Sequence, residues 1–251
     1  MALFELGPSA ASPVVVAHGA GSSARFVIAA FAGPVLARGR RLVTFDQRGH
    51  GASGPVRAPA GHALERYAAD LEAVVAEVGG DAWVVGVSLG GHAAVRAAAS
   101  ERLEATAVVA CLPAWTGAAV PGEGPHAAIA AEVRALGLPD LLTRLTADTA
   151  MPGWLRDTLL TDYRRHDPDS LIAALLALDG GEAPTLDELA RLPVPFAAVG
   201  WPDDPGHPLS VARAWADAAD GPLRMLHLHD LDAGLERLGE AALAAAAQAT
   251  E

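Results

Sequence analysis

The sequence predicts an α/β protein with a mostly parallel β-sheet that is covered by helices on both faces. Short β-rich runs recur between longer Ala-, Leu-, Arg- and Glu-rich segments of helical period. That alternation is typical of parallel strands joined by crossover helices. Hydrophobic residues make up 51% of the 251 residues, so the chain is able to bury a large core. The length fits one α/β domain with an insertion.

Six runs are predicted to be strands, with helices filling the gaps between them. They are residues 14–17, 42–45, 83–87, 106–110, 195–199 and 223–228. The Ala-rich end predicts a final helix over about residues 235–248.

One interval departs from this alternation. From about residue 113 to residue 184 the pattern is helical throughout, with many Pro and Gly breaks and no predicted strand. We therefore expect a single domain over residues 1–251, with a helical cap inserted at about 113–184.

Charge and cysteine content restrict the expected partners and compartment. A formal net charge of −12 disfavours nucleic acid and anionic membranes, because both require clustered Lys and Arg. Cys111 is the only cysteine, so no intramolecular disulfide forms, and its apolar surroundings predict a buried structural thiol. Neither a signal peptide nor an apolar stretch of membrane-spanning length is recognised, which predicts a cytoplasmic location.

The first glycine turn is compatible with two classes of protein. Residues 14–24 contain a strand, a G-x-G-x-x-A turn and the start of a helix, which is the pattern of dinucleotide-binding sites. Asp46 ends the next strand, where a ribose-binding carboxylate would lie. Hydrolases also need glycines at such a turn, so downstream residues must decide between an oxidoreductase and a hydrolase.

A second turn favours a hydrolase. Residues 86–90 read G-V-S-L-G after a predicted strand and before an Ala-rich helix. Glycines on both sides of Ser88 permit a tight, strained turn that exposes the serine hydroxyl above the sheet. Ser88 is therefore the predicted nucleophile.

These motifs resemble those of α/β-hydrolases related to esterases and epoxide hydrolases. The resemblance rests on F-D-Q-R-G-H-G-A-S at residues 45–53, on His18-Gly19, and on residues 195–205. It implies an α/β-hydrolase sheet. Only residues 2–6 precede the strand at 14–17, whereas relatives begin with a longer hairpin, so about seven strands are expected.

The resemblance also implies roles for individual residues. The backbone N–H groups of Ala20 and Leu89 would form the oxyanion hole, and Asp204 would be the acid, with Asp203 as its rival. A serine at the nucleophile position argues against dehalogenase or epoxide hydrolase chemistry, for which this family uses a carboxylate.

The general base is the least defined residue of the predicted site. Relatives place a histidine after the last strand, but the corresponding position here falls at about Asp232. His229 lies a few residues upstream and is the predicted base. His207 and His227 are alternatives, and a site without any catalytic histidine is a further one.

Other candidate residues have structural explanations. His18 and His50 are expected to brace loops, and His92 to pack behind the nucleophile. Trp115 is predicted to line an apolar substrate pocket, as Trp154 and Trp201 could, although core filling explains all three equally well. No zinc-ligand spacing and no phosphate-binding loop are recognised, so neither a metal nor a cofactor is expected.

Together these features predict a cofactor-independent serine hydrolase of a small, largely apolar ester, lactone or thioester, with an acyl-enzyme on Ser88. The alternative keeps the fold without a working triad, as a cyclase, a lyase or a small-molecule binder. A nicotinamide-dependent oxidoreductase rests only on the first glycine turn and Asp46.

Overall fold

The computed structural model describes residues 1–118 and 125–251. Its sheet has seven strands, which confirms the predicted fold class. The strands are β1 (Ala2–Leu6), β2 (Pro13–Ala17), β3 (Arg41–Asp46), β4 (Ala82–Val87), β5 (Ala105–Cys111), β6 (Phe196–Gly200) and β7 (Leu223–Met225). The helices are α1 (Ala24–Ala37), α2 (Leu64–Val78), α3 (Leu89–Ala99), α4 (Pro125–Leu136), α5 (Leu138–Ala147), α6 (Gly153–Tyr163), α7 (Pro168–Gly180), α8 (Leu186–Ala190), α9 (Leu209–Ala218) and α10 (Glu236–Ala249).

The order of the strands places the carboxyl ends of β2 and β4 side by side. The sheet runs β1-β3-β2-β4-β5-β6-β7, with β1 antiparallel to β3 and every other pair parallel. The chain leaves β2 for β3 on one side and returns to β4 on the other, so the direction of winding reverses between β2 and β4. In open α/β sheets, sites form at the carboxyl ends of strands at such a reversal.

Side chains that alternate along the strands pack into two separate hydrophobic cores, one on each face of the sheet. Val14 and Val16 pack with α1 and α10 on one face, whereas Val15 and Ala17 pack with α2, α3 and α9 on the other. Because both faces are buried, the central parallel strands are mostly apolar, with polar residues such as Arg41, Thr44 and Asp46 in β3 as exceptions. This pattern explains why their positions were predictable to within one or two residues.

The last predicted strand ends earlier than expected. Residues 223–228 were predicted to be extended, but β7 ends at Met225, and Leu228–Ala233 forms a 3-10 helix. The amide of His227 donates to Asp230 Oδ2 at 2.6 Å, and the amide of Leu228 donates to both carboxylate oxygens of Asp203 at 3.1 Å. The carboxylates of Asp203 and Asp230 thus accept hydrogen bonds from backbone N–H groups that a longer strand would use for pairing.

Helices α4 to α7 occupy the interval predicted as an insertion, of which residues 119–124 lie outside the described part. Helix α6 packs on the loop after β2, and helix α7 packs on helices α2 and α3. Asp162 of α6 accepts hydrogen bonds from the hydroxyls of Ser22 and Ser23, at 3.1 and 2.7 Å. Leu178 of α7 packs against Tyr67 and Leu89. None of the described helices is both long enough and apolar enough to cross a bilayer.

Candidate active site

Ser88 lies on a strained turn between β4 and α3. Its φ of 50° and ψ of −116° are unfavourable for a residue with a side chain. The Ser88 amide donates to the carbonyl of Cys111 at 2.7 Å, which ties the turn to the end of β5. The backbone therefore holds the Ser88 side chain at the carboxyl edge of the sheet, as the G-x-S-x-G motif predicts.

The glycines around Ser88 are required because the backbone packs closely there. A Cβ atom on Gly90 would lie 2.3 Å from the carbonyl oxygen of Ala17, and one on Gly86 would lie 2.0 Å from the carbonyl oxygen of Gly90. Both obstacles are backbone atoms, which cannot rotate away. The close approach of the Ser88 turn to the end of β2 therefore requires glycine at positions 86 and 90.

Replacing Gly90 by alanine is expected to destabilise the fold by at least about 3 kcal/mol, because a methyl group would separate α3 from the end of β2. Urea unfolding followed by circular dichroism measures the effect. Gly33→Ala is the matched control: this glycine lies in α1, with its nearest potential contact at 3.9 Å, and alanine favours the helix by about 1 kcal/mol. Equal stability of the Gly90→Ala variant and the wild type would contradict the steric argument.

Ser88, His207 and Asp204 form a hydrogen-bonded chain. The Nε2 atom of His207 lies 2.9 Å from Ser88 Oγ, and its Nδ1 atom lies 2.7 Å from Asp204 Oδ2. The His207 and Asp204 side chains are mostly buried, at 21% and 17% exposed. These distances are those of a nucleophile, a base and an orienting acid.

Asp204 is held as a carboxylate. Burial alone would raise its pKa, but the hydrogen bond and charge of His207, together with backbone donors that include Gly206 at 2.8 Å, hold the pKa below its ordinary value. An ionised Asp204 accepts from His207 Nδ1–H, which leaves His207 Nε2 free to accept the Ser88 hydroxyl proton.

The structure corrects the predicted base. The Nδ1 atom of His229 is hydrogen-bonded to Asp232 Oδ2 at 2.9 Å, and the His229 side chain is 71% exposed to solvent rather than packed at Ser88. His227 is 65% exposed and lies 3.6 Å from Asp203. The ring that reaches Ser88 belongs to His207, which the sequence analysis held only as an alternative.

One local signal pointed to His207. It follows Asp204 by three residues in the segment D-P-G-H-P, where a Pro-Gly turn folds the imidazole back onto the carboxylate. Asp203, the rival acid, instead accepts from the amide of Leu228 and so anchors the neighbouring loop. The displaced histidine therefore comes from the loop after β6, which also carries the acid.

The loop after β2 passes directly beside Ser88. A Cβ atom on Gly19 would lie 3.3 Å from Ser88 Cβ, so Ala20 is one residue from this contact. Leu89 is the first residue of α3, and its amide therefore lacks an intrahelical acceptor. In the described part of the chain, neither the Ala20 nor the Leu89 amide donates to a protein acceptor. Both predicted oxyanion donors thus flank Ser88 with unused N–H groups.

Two buried histidines brace this loop, as the sequence predicted. His18 Nε2 accepts from the Gln47 amide at 3.0 Å, and its Nδ1–H donates to the carbonyl of Gly19 at 2.7 Å. His50 Nε2 accepts from the Gly21 amide at 3.0 Å. Burial lowers the pKa of His18 to about 4 and that of His50 well below its ordinary value, so both rings are neutral acceptors.

Asp46 connects loops in the same region. Its carboxylate accepts from the amides of Ala24 and Ala52, both at 2.8 Å. The side chain is buried, and both of its oxygens have backbone donors. Asp46 thus joins the start of α1 to the loop after β3, and the ribose-binding alternative is not needed to explain it.

Apolar side chains pack around Ala20 and Leu89, and the surface that they form is called the apolar wall below. Tyr67, Leu89, Ala93 and Leu178 form a buried cluster, against which Ala20, Leu64 and Trp115 pack. By contrast, Trp154 and Trp201 pack against each other, with ring centroids 5.7 Å apart, in the core on the α1 side of the sheet. Of the three tryptophans considered from the sequence, Trp115 is the one in the wall beside Ser88.

The fold and the Ser-His-Asp arrangement are those of an α/β-hydrolase. Residues 14–243 match a family model described as the alpha/beta hydrolase family, and the chain belongs to that family. The comparison with curated proteins gives no significant match.

Solved structures are similar over nearly the whole chain. An esterase from Exiguobacterium antarcticum matches with a TM-score of 0.79 and 17% identity, covering 96% of this chain and 93% of its own. A bromoperoxidase from Bacillus anthracis matches at 0.78 and 17%, covering 96% and 93%. An enol-lactonase from Burkholderia xenovorans matches at 0.75 and 17%, covering 96% and 94%. At this identity the similarity establishes the fold, which serves more than one activity.

Proposed function

We propose that this protein is a cofactor-independent serine hydrolase that cleaves small, largely apolar esters, lactones or thioesters. The observation that carries the proposal is the hydrogen-bonded chain from Ser88 Oγ through His207 to Asp204. A serine hydroxyl is a poor nucleophile until a neighbouring base accepts its proton, and His207 Nε2 is in position to accept it.

The proposed reaction has two steps. Ser88 Oγ attacks the carbonyl carbon while its proton passes to His207 Nε2; the resulting imidazolium returns the proton to the leaving alkoxide or thiolate as the bond from the carbonyl carbon breaks. Water then attacks the acyl carbonyl carbon while giving a proton to His207 Nε2. The imidazolium returns that proton to Ser88 Oγ as the bond between the acyl carbon and Oγ breaks, which releases the carboxylic acid and restores Ser88 and neutral His207. Throughout, the Asp204 carboxylate orients the ring and stabilises its charged form.

Charge that develops on the substrate oxygen would be stabilised by backbone N–H groups. The amides of Leu89 and Ala20 flank Ser88 and have no protein acceptor within the described residues. Such donors are fixed before the reaction and act only on the oxyanion, which is why they lower the barrier rather than merely tighten binding. The amino end of α3 adds a favourable partial positive charge.

The apolar wall supports the proposed substrate class. Ala20, Leu64 and Trp115, which are partly exposed and pack on the buried cluster that follows Ser88 at Leu89, offer apolar surface to a substrate. Removing an apolar acyl group from water at such a wall supplies binding free energy of roughly 25 cal/mol per Å² of surface. The related alternative, a fold without a working triad, loses support because a base and an acid are within hydrogen-bonding distance of each other and of Ser88.

Mass spectrometry after treatment with a fluorophosphonate tests the proposal. One phosphonyl group is expected to add to the wild-type protein, with the label on the peptide that contains Ser88, because these reagents react with activated serines. The Ser88→Ala variant should gain no mass. An unlabelled wild type, under conditions that label a known serine hydrolase, would exclude an activated Ser88 and favour the non-hydrolytic alternative.

A further inference from the structure

The carboxylate of Asp162 joins the end of helix α6 to the loop after β2. One of its oxygens accepts from the Ser22 hydroxyl at 3.1 Å, and the other accepts from the Ser23 hydroxyl at 2.7 Å. Asp162 is only 3% exposed, so little water competes for these two hydrogen bonds. The contacts connect residues about 140 positions apart, in the same loop that carries Ala20.

The last residue of α6 packs against this loop as well. A Cβ atom on Gly21 would lie 2.5 Å from Tyr163 Cε1, so the buried Tyr163 ring lies directly against the Gly21 backbone. The φ of Gly21 is 72°, a conformation that glycine adopts without strain. The loop is therefore shaped to fit the end of α6.

Ala20 lies in a turn that Ser22 closes. The Ser22 amide donates to the carbonyl of Gly19 at 3.2 Å, which makes residues 19–22 a β-turn with Ala20 as its second residue. Gly21 is the third residue, where a positive φ is typical of a type II turn. Because this turn sets the direction of the Ala20 N–H, the residue that Asp162 holds through its hydroxyl also closes the turn.

The core and α6 hold different parts of the loop. His18 donates to the carbonyl of Gly19, and His50 accepts from the amide of Gly21, so the core fixes the two neighbours of Ala20. The side chains of Ser22 and Ser23 are bonded to Asp162 instead. Losing Asp162 would therefore loosen the end of the turn without releasing the whole loop.

Asp162 occupies a position that is unfavourable for a carboxylate. It lies in the last turn of α6, where the helix dipole disfavours negative charge. Burial raises its pKa, against the lowering effect of the Ser23 and Ser22 hydroxyls. Residues that are unfavourable for local stability are concentrated at functional sites, which favours a role for Asp162 beyond packing.

We propose that Asp162 is a positioning residue for the reaction at Ser88. By holding Ser22 and Ser23, it keeps the turn at residues 19–22 closed and the Ala20 N–H directed at the oxyanion. This proposal rests on the proposed hydrolase function and adds that α6 controls the oxyanion hole. Asp162 acts only through the two serines, so its removal should change the rate of the reaction more than substrate binding.

Steady-state kinetics with p-nitrophenyl butanoate test the proposal on Ser22→Ala, Asp162→Ala and the double variant. Each single change should lower kcat by about tenfold, less than the complete loss of an oxyanion donor, and should change KM by less than about twofold. The double variant should be about as slow as Asp162→Ala, because both changes remove the same hydrogen bond. Asp162→Asn should recover most of the activity, because its amide accepts from one serine hydroxyl and donates to the other.

Inhibition by butyl trifluoromethyl ketone separates positioning from a general effect on the fold. This ketone adds to an active serine as a hemiketal whose oxygen occupies the oxyanion hole, so its inhibition constant should rise by about tenfold in both single variants. Asp157→Ala is the matched control, because it removes one carboxylate from an exposed position of the same helix. Its kcat and its inhibition constant should equal those of the wild type.

The outcomes separate this proposal from the proposed function. If a fluorophosphonate labels Ser88 and the wild type is active, but Ser22→Ala keeps the wild-type kcat and inhibition constant, Asp162 only packs and the proposal is wrong, while the hydrolase remains. Ser22→Ala leaves α6 intact, so it decides the question even where Asp162→Ala does not fold. A wild type that is neither labelled nor active would overturn both the proposed function and the role of Asp162.

Discussion

Replacing His207 by glutamine is expected to lower kcat for ester hydrolysis by about 10⁴-fold or more. Loss of the base leaves only the oxyanion donors and substrate binding to promote the reaction, and a triad acts as a unit. KM should change little, because the imidazole acts on the Ser88 proton rather than on the bound acyl chain. Steady-state kinetics with a p-nitrophenyl ester at pH 8 measures the loss.

His229→Gln is the matched control for His207→Gln. The sequence favoured His229 as the base, but its exposed ring is paired with Asp232. Activity of this variant should therefore equal that of the wild type. A large loss in His229→Gln together with normal activity in His207→Gln would contradict the geometry of the site and restore the prediction made from the sequence.

Stability is expected to fall steeply between pH 7 and pH 5. Five histidines have a pKa below the ordinary value of 6.5, mainly because burial disfavours their charged form. They are His18, His50, His62, His92 and His166. Below about pH 6.5 these side chains take up protons in the unfolded chain but stay neutral in the folded one, so acid favours unfolding.

The expected size of this effect is large compared with the stability of a typical domain. Each ring that stays neutral in the folded state lowers the free energy of unfolding by about 2 kcal/mol between pH 7 and pH 5. Three of the five rings, those of His18, His50 and His92, are fully buried. The resulting loss of about 6 kcal/mol is comparable with a typical total of 5 to 15 kcal/mol. Asp162 acts in the opposite direction, because burial raises its pKa and its protonation favours the folded state.

Urea unfolding at pH 7, 6 and 5 measures this dependence. The urea concentration at the midpoint should drop at each step, and the slope of unfolding free energy against pH gives the number of protons taken up. His50→Gln should reduce that number by about one, whereas His229→Gln should leave it almost unchanged. A midpoint that stays constant from pH 7 to pH 5 would mean that the buried rings titrate normally in the folded protein.

The positions of the parallel strands were predictable because their signal is local. A strand buried on both faces is mostly apolar, and β2 to β6 all begin and end within one or two residues of the predicted limits. The apolar pattern gave a wrong prediction at residues 226–228, where Leu226 and Leu228 indicated a strand but β7 has already ended. Carboxylates from Asp203 and Asp230 take the backbone donors there, and such contacts are not visible in a local pattern.

The same distinction applies to the candidate site. Ser88 lies in a turn whose glycines are adjacent in sequence, so the strain that exposes its hydroxyl is encoded locally. Asp204 likewise follows directly from the end of β6 and the turn after it. The histidine that contacts Ser88 differs from the predicted His229, which was chosen because relatives place a histidine after the last strand. Here the loop after β6 instead brings His207 between Asp204 and Ser88.

By itself the sequence determined the positions of strands β2 to β6, the turn that presents Ser88, and the loop that carries Asp204, because each depends on residues within a few positions of one another. Only the tertiary structure decided which histidine meets Ser88, since that contact joins residues 119 positions apart and depends on how the loops after β4 and β6 converge. It also decided that the buried Trp115 N–H has no acceptor among the residues that the structure describes. Pairing of a side-chain donor is a property of the whole packed environment, and no local pattern specifies it.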